Sequence, residues 1–307
     1  MQISTSLYFD RASQQMSDVQ NALTQDQTKL SSGKQVVQPS DAPNKAALIT
    51  RIQTQLSIQN TYQSTLTTIN TRLTGQETAL KSVSDVMARI SELAVQAANS
   101  TVSSLDRKNI GAEISALKDQ VVSLANSQDS NGSYLFAGSQ VSKPAFGPDA
   151  SGNVVYQGDE SRMTVNVGDN RQLAMNMPGT DAFTNVARTD ASGNTTGVSF
   201  FQSLTDLANA VTNSDNTNIQ RGISELNTLQ QGVSNGLAEV GTTQSVVDMQ
   251  NSVLDQVILN LKTSLSNVQD LDYTTAVTKM NQDQLALEAA QNSFAKISQM
   301  SLFKYLG

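Results

Sequence analysis

The sequence predicts a mainly α protein: a long helical bundle or coiled coil whose N- and C-terminal helices pair, carrying a small β-rich insert. Three observations predict it. Heptad stripes occur at both ends, one through Phe9, Ala12, Met16, Val19, Leu23, Asp26 and Leu30, the other through Ala276, Met280, Asp283, Leu287, Ala290, Phe294, Ile297 and Ser301. A much longer stripe runs unbroken from Tyr62 to Ala97. Between about 134 and 200 the helical period gives way to alternation and turn residues. Steps of three and four put residues on one side of a helix, the pattern that packs against another helix. Helices as short as the terminal stripes are marginal in isolation. The two chain ends are therefore expected to pack on each other or on copies of themselves.

Composition agrees. Of 307 residues, 15% are charged, 38% hydrophobic and only 5% aromatic, with no Trp, Cys or His, so the core must be built from Leu, Ile, Val, Met and Ala. That suits slender helices better than a compact globule. Residues 1–45 hold four bases and four acids, residues 262–307 hold the same numbers, and the whole formal charge of −7 lies between them. Neutral ends can crowd together without self-repulsion, while an acidic middle stays solvated. The charge argues against a nucleic-acid partner, which needs a positive patch. Without cysteine there is neither a disulfide framework nor a thiolate metal site. No apolar run reaches the length of a membrane span, and the first residues do not read as a cleavable signal peptide.

Taken in order, the first helix should stop at Ser31-Ser32-Gly33, with Gly33 as a left-handed terminator. Pro39 and Pro43 then interrupt the chain, with Ser40 or Asp41 as the cap of the next helix and Pro43 in its first turn. From Asn44 to Ala98 a helix carries Tyr62, Leu66, Ile69, Leu73, Gln76, Leu80, Val83, Met87, Ile90, Ala94 and Ala97 in one register, ten of the eleven apolar. These positions span roughly 54 Å. Gly75 costs about 1 kcal/mol there without breaking the helix.

After a polar turn at 99–104, a third helix over about 106–127 presents Ile110, Ile114, Leu117, Val121 and Leu124, antiparallel to the second. In the insert, Tyr134-Leu-Phe-Ala-Gly138 and Asn153-Val-Val-Tyr156 are short apolar runs, and Gly168-Asp-Asn170 joins two alternating ones as a hairpin. Its turn-rich ends predict that about 140–200 can be removed with less damage than either end of the chain. Helices follow at about 201–212, 216–235 and 242–268, the last with Leu254, Val257, Leu261, Leu265 and Val268 as its stripe. Asp270 and Asp272 are placed to cap the final helix. The expected domains are therefore 1–45 with 262–307, a terminal coiled-coil assembly domain; 46–133 with 201–261, a helical bundle; and 134–200, an outer β-rich insert.

No catalytic, cofactor or metal site is legible. Gly232-Val-Ser234-Asn-Gly236 has the spacing of a serine nucleophile motif, but that chemistry needs a histidine base and a preceding strand, and neither is present. A surface hydrolase using Ser234 is the enzyme alternative. Asp129-Ser-Asn-Gly132 and Asp149-Ala-Ser-Gly-Asn153 lack the glycine placing and the final glutamate of a calcium loop and read as turns. Asp26 and Asp283 stand on the terminal stripes. Either the stripe turns to solvent there, or these acids fix register and partner choice.

Several stretches resemble the flagellin-like proteins. They are Ile3-Ser-Thr-Ser6, Lys29-Leu-Ser-Ser-Gly-Lys34, Pro39-Ser-Asp-Ala-Pro43, Glu92-Leu-Ala-Val-Gln-Ala97 with Asp106-Arg107, Tyr134-Leu-Phe-Ala-Gly138, Leu265-Ser-Asn-Val-Gln-Asp-Leu-Asp-Tyr273 and Ser301-Leu-Phe303. The last three look more like the hook–filament junction branch of that family than like its filament-forming flagellins. The resemblance implies a structural subunit of the bacterial flagellum, located outside the cell and exported by the flagellar type III system without a cleavable signal. The alternative within the family is a flagellin-type filament subunit. The junction resemblance implies hook-associated protein 1 and flagellin as neighbours, an export chaperone as an earlier partner, and a ring of about eleven copies. The terminal helices would line an inner layer and the insert would face outward. The partner-contact residues on this reading are Phe9, Met16, Val19, Leu23 and Leu30 with Leu287, Ala290, Phe294 and Ile297.

Overall fold

The computed structural model describes residues 2–189 and 194–306, with side chains described for residues 7, 9–189 and 194–296. The chain divides into two compact units, 1–59 with 256–307, and 60–255. The segment 134–200 falls wholly within the second. Helices α2 (Pro43–Ala98) and α6 (Asn216–Gln269) contribute residues to both.

The first unit contains α1 (Gln2–Ser32) and α7 (Tyr273–Leu306), which pack together. Helix α1 stops where expected: Gly33 has φ +67°, a conformation without the Cβ penalty other residues meet. The expected cap of α2 is replaced by a different device. Asp41 accepts hydrogen bonds from the N–H groups of Val37 and Gln38 at 3.2 and 2.9 Å, closing the turn before the helix. The first helical bond instead runs from Ala46 N–H to the Ala42 carbonyl, 2.9 Å. Asp272 does cap α7, accepting from Thr274 N–H at 3.0 Å.

The second unit is built on the long stripe of α2. Of its eleven expected positions, ten are buried and Tyr62 is partly so, while Thr67 and Thr74, off the stripe, are exposed. Helix α3 (Ser104–Ala125), capped by Ser103, buries Ile110, Ile114 and Val121 in the same core. Arg89 meets Glu113 at 3.0 Å and Arg72 meets Asp129 at 3.0 Å. These pairs lie on opposite sides of the 99–103 turn at matching separations, as an antiparallel hairpin requires.

The break expected between helices at 216–235 and 242–268 is absent, because α6 is continuous. Its glycines serve packing. A Cβ on Gly236 would stand 2.7 Å from the Ala182 Cβ, and one on Gly232 2.6 Å from the Thr184 hydroxyl. The small residues let the chain around 182–184 approach the helix closely, and intrahelical bonds hold α6 through them.

Among the described residues, the insert consists of three separate two-stranded antiparallel hairpins: β1 (Phe146–Pro148) with β2 (Val154–Tyr156), β3 (Thr164–Gly168) with β4 (Arg171–Ala174), and β5 (Val186–Thr189) with β6 (Thr195–Val198). A short α4 (Gly179–Ala182) lies between β4 and β5. The 168–170 hairpin is as expected, with Gly168 paired to Arg171. Asp149 closes the β1–β2 turn by accepting from Ser151 and Asn153 N–H, both 2.8 Å. The Tyr134–Gly138 run is not a strand. Leu135, Phe136 and Ala137 form an irregular buried plug. Gln76, the one polar residue of the long stripe, donates from Nε2 to the carbonyls of Leu135 and Met177 at 2.8 and 3.1 Å. Arg72 reaches the Tyr134 carbonyl at 2.8 Å. Burial pulls the Arg72 pKa down, and Asp129 opposes that shift.

The insert is not a dispensable appendage. Phe146, Val167, Met177, Ala182, Phe183 and Val186 share one core with α2, α3, α6 and α5 (Phe200–Thr212). Phe183 packs on Phe136, Phe146, Phe200 and Phe201 with centroid separations of 5.7, 5.0, 5.2 and 5.9 Å. The expectation that 140–200 can be removed with less damage than either end runs against this core, because its apolar side chains fill the interior of the bundle, and turns at its ends say nothing about that.

Candidate assembly interface of the terminal helices

The first unit places most of the expected contact residues on one seam. Two loops bring α1 and α7 together. Gln35 N–H donates to the Gln269 carbonyl at 2.7 Å and Leu271 N–H to the Gly33 carbonyl at 3.0 Å, flanking a bridge between Lys34 and Asp270. From there the helices run antiparallel. Lys279 meets Asp26 at 2.9 Å, and farther out Phe9 and Phe294 pack edge to face, with centroids 5.4 Å apart and planes at 88°. Every step toward the N-terminus on α1 is matched by a step toward the C-terminus on α7.

Burial follows the stripes. Among the described residues of α7, Ala276, Met280, Asp283, Leu287, Ala290 and Phe294 are partly buried and the other side chains are exposed. On α1, Phe9, Ala12, Met16, Val19, Leu23 and Leu30 are partly buried. The structure thus joins Phe9, Met16, Val19, Leu23 and Leu30 to Leu287, Ala290 and Phe294. The side chain of Ile297 lies outside the described residues. None of these apolar residues is fully covered, unlike Leu66, Ile69 or Leu80 in the second unit, at 0% exposure. Leu285 at 66% and Val277 at 42% add exposed apolar surface to α7. A seam of this kind retains apolar area that a further helix can cover.

Asp26 is the exception, only 6% exposed. The stripe does not swing to solvent there. Lys279 donates to Asp26 at 2.9 Å and to Asp283 at 3.2 Å, and the Asp26 bond is the main cause of a raised Lys279 pKa. Lys279 itself was not marked by the stripe pattern. Its signal is scarcity, since it is the only base between 273 and 295, one turn before Asp283.

The arrangement supports binding. Among the described residues no cluster of acids suits a metal ion, and no helix is long and apolar enough to cross a membrane. Ser234 lies exposed in the middle of α6, with helix on both sides instead of the strand and turn a nucleophile requires.

Paired N- and C-terminal helices, with a helical unit between them in the sequence, define a flagellin-type subunit, and comparison with known proteins agrees. Residues 3–141 match the bacterial flagellin N-terminal helical region and residues 223–306 the bacterial flagellin C-terminal helical region. The chain belongs to the bacterial flagellin family. Within it, the chain is 27% identical to flagellar hook-associated protein 3 of Salmonella typhimurium over 99% of both chains. It is 27% identical to flagellar hook-associated protein 3 of Escherichia coli over 90% of both. Flagellin of Listeria monocytogenes is 22% identical, over 97% of this chain and 95% of its own. In fold, a flagellar hook-associated protein of Vibrio parahaemolyticus matches with a TM-score of 0.66 at 19% identity, covering 75% of this chain and all of its own. FlgL of Xanthomonas campestris matches with a TM-score of 0.60 at 24% identity, covering 71% of this chain and 99% of its own.

Proposed function

We infer that this chain is the structural subunit that joins the flagellar hook to the filament. The observation that carries this reading is the likeness over almost the whole length of both chains to hook-associated protein 3, at 27% identity against 22% for the Listeria flagellin. On this reading it belongs in the bacterial flagellum, between hook-associated protein 1 and flagellin. Copies close into a ring, of about eleven on the family's pattern. It leaves the cell through the flagellar type III system, and it acts without catalysis.

The half-covered seam gives the reading a mechanism. Phe9, Met16, Val19, Leu23 and Leu30 with Leu287, Ala290, Phe294 and Ile297 are the assembly contacts. Before assembly an export chaperone covers the apolar side of α7, and in the ring neighbouring copies do so. Residues 1–45 and 262–307 then act as the assembly domain, 46–133 with 201–261 as the bundle and 134–200 as the outward face. Phe294 is the largest side chain described on its stripe and the natural anchor, at roughly 2 kcal/mol or more on truncation.

A strain lacking the gene tests the reading. It should make hooks without filaments and shed flagellin into the medium, with filaments restored by the intact chain. Hooks that still carry filaments would refute it. A filament subunit is the second reading within the family, and copy number separates the two: thousands per filament against one ring.

A further inference from the structure

We propose that Asp26 fixes the register of α1 against α7, rejecting the one-heptad slips that the apolar stripes would otherwise tolerate. The stripes are short, and between the Phe9–Phe294 pair and the loops they are built from interchangeable aliphatic side chains. With Asp26 beside Lys279 and Phe9 beside Phe294, Met16, Val19 and Leu23 lie along Met280, Asp283, Leu287 and Ala290, and a slip of seven residues, about 10 Å, would again set mostly apolar residues against apolar residues. Such a seam specifies its register weakly. A buried ionised group changes that, because its cost is offset only where a partner stands.

The observed register supplies the partner. Asp26 is 6% exposed and holds Lys279 at 2.9 Å. Lys279 is the only base on α7 before Lys296. Sliding α7 by one heptad in one direction puts Ala286 opposite Asp26, with Asp283 and Leu287 as the flanking stripe residues. Lys29 would then meet Asp283, and Asp26 would be left buried without a base. Sliding it the other way puts Asp272 opposite Asp26, a like charge in place of the lysine. Either slip buries an uncompensated carboxylate. The backbone bridge at Lys34 and Asp270 marks the same register at the loop end, but it lies outside the helices. Asp26 enforces it within the seam.

The chain has no cysteine, so engineered pairs report register directly. In the full chain, Leu23→Cys with Met280→Cys reports the observed register, and Leu23→Cys with Leu287→Cys reports a one-heptad slip. The measurement is the initial rate of intramolecular disulfide formation for each pair, with Asp26 intact and as Asp26→Leu. With Asp26 intact the first pair should close at least about 10-fold faster than the second. In Asp26→Leu that preference should fall by roughly 10-fold or more, with the first pair still closing, because leucine suits an apolar seam. An unchanged ratio would overturn the proposal. So would loss of both cross-links in Asp26→Leu, which would make the pair a requirement for docking α7 and not a selector of register. Helicity by circular dichroism confirms in each case that the second unit is intact.

Discussion

Replacing Phe183 by alanine tests whether the β-rich insert and the helical bundle share a single interior. Phe183 follows α4, is 4% exposed and touches four other phenylalanine rings, two contributed by α5 and two by the segment 136–146. Truncating a buried phenylalanine costs about 3–5 kcal/mol through lost transfer energy and the cavity left behind. Its edge-to-face partners put the expectation at the upper end of that range, because each such pair adds about 0.5–1.5 kcal/mol. The cavity should not collapse, since the surrounding rings are anchored on different elements. Guanidinium melts followed by circular dichroism at 222 nm should show the midpoint falling by about 1 M relative to the parent chain. The cooperative helical signal of residues 60–255 should carry the shift. Thr164→Ala, on an exposed position of β3, should leave the midpoint unchanged. A Phe183→Ala chain within about 1 kcal/mol of the parent would refute the shared core and return the insert to an independent appendage.

Three further predictions follow from the same geometry. Leu73→Ala and Leu80→Ala should each cost about 2–5 kcal/mol in the same melts, while Thr67→Ala and Thr74→Ala, on the exposed side of α2, should change little; equal effects at all four would mean a different helix face is buried. Gly236→Ala should destabilise by about 1–3 kcal/mol because its Cβ meets Ala182, whereas Gly241→Ala, with nothing within 4 Å, should stabilise by about 0.5–1 kcal/mol. Hydrogen bonds from Ser139, the side chain foremost, and Ser161 hold the Asp159 pKa down at about 2. A depressed carboxylate contributes stability above its unfolded value and loses it as pH falls through the folded value. Stability should therefore decline as pH drops toward 2, and Asp159→Asn should flatten that part of the acid melting profile.

What the sequence made legible was periodicity. A stripe as long as Tyr62–Ala97 leaves one helix face to bury, and the structure buries it. The terminal stripes predicted not only two helices but which side of each is turned inward. What it hid was contact between segments far apart in the chain. A linear reading leaves 236–241 as a gap between two helices, but α6 runs through it. Gly236, with Gly232 in the expected helix before it, accommodates the chain at 182–184, and no local pattern announces that. Gln76 reads as a flaw in an apolar stripe, but its amide holds two carbonyls of the irregular plug. Asp26 could be read either way until Lys279, far away in sequence, was seen to stand beside it. The insert's turns were legible, and its hairpins formed near them. Its share of the core was not, since strands of three to five residues carry too few side chains to display a buried face.

A junction subunit sits at one place, where the hook meets the filament. Because the chain lacks cysteine, Ala150→Cys on the exposed β1–β2 turn gives a single attachment point for maleimide-gold. Electron microscopy of labelled flagella from a complemented deletion strain should show one band of gold at the hook–filament boundary. Gold distributed along the filament, or absent from intact flagella while the tagged chain supports motility, would rule out that position.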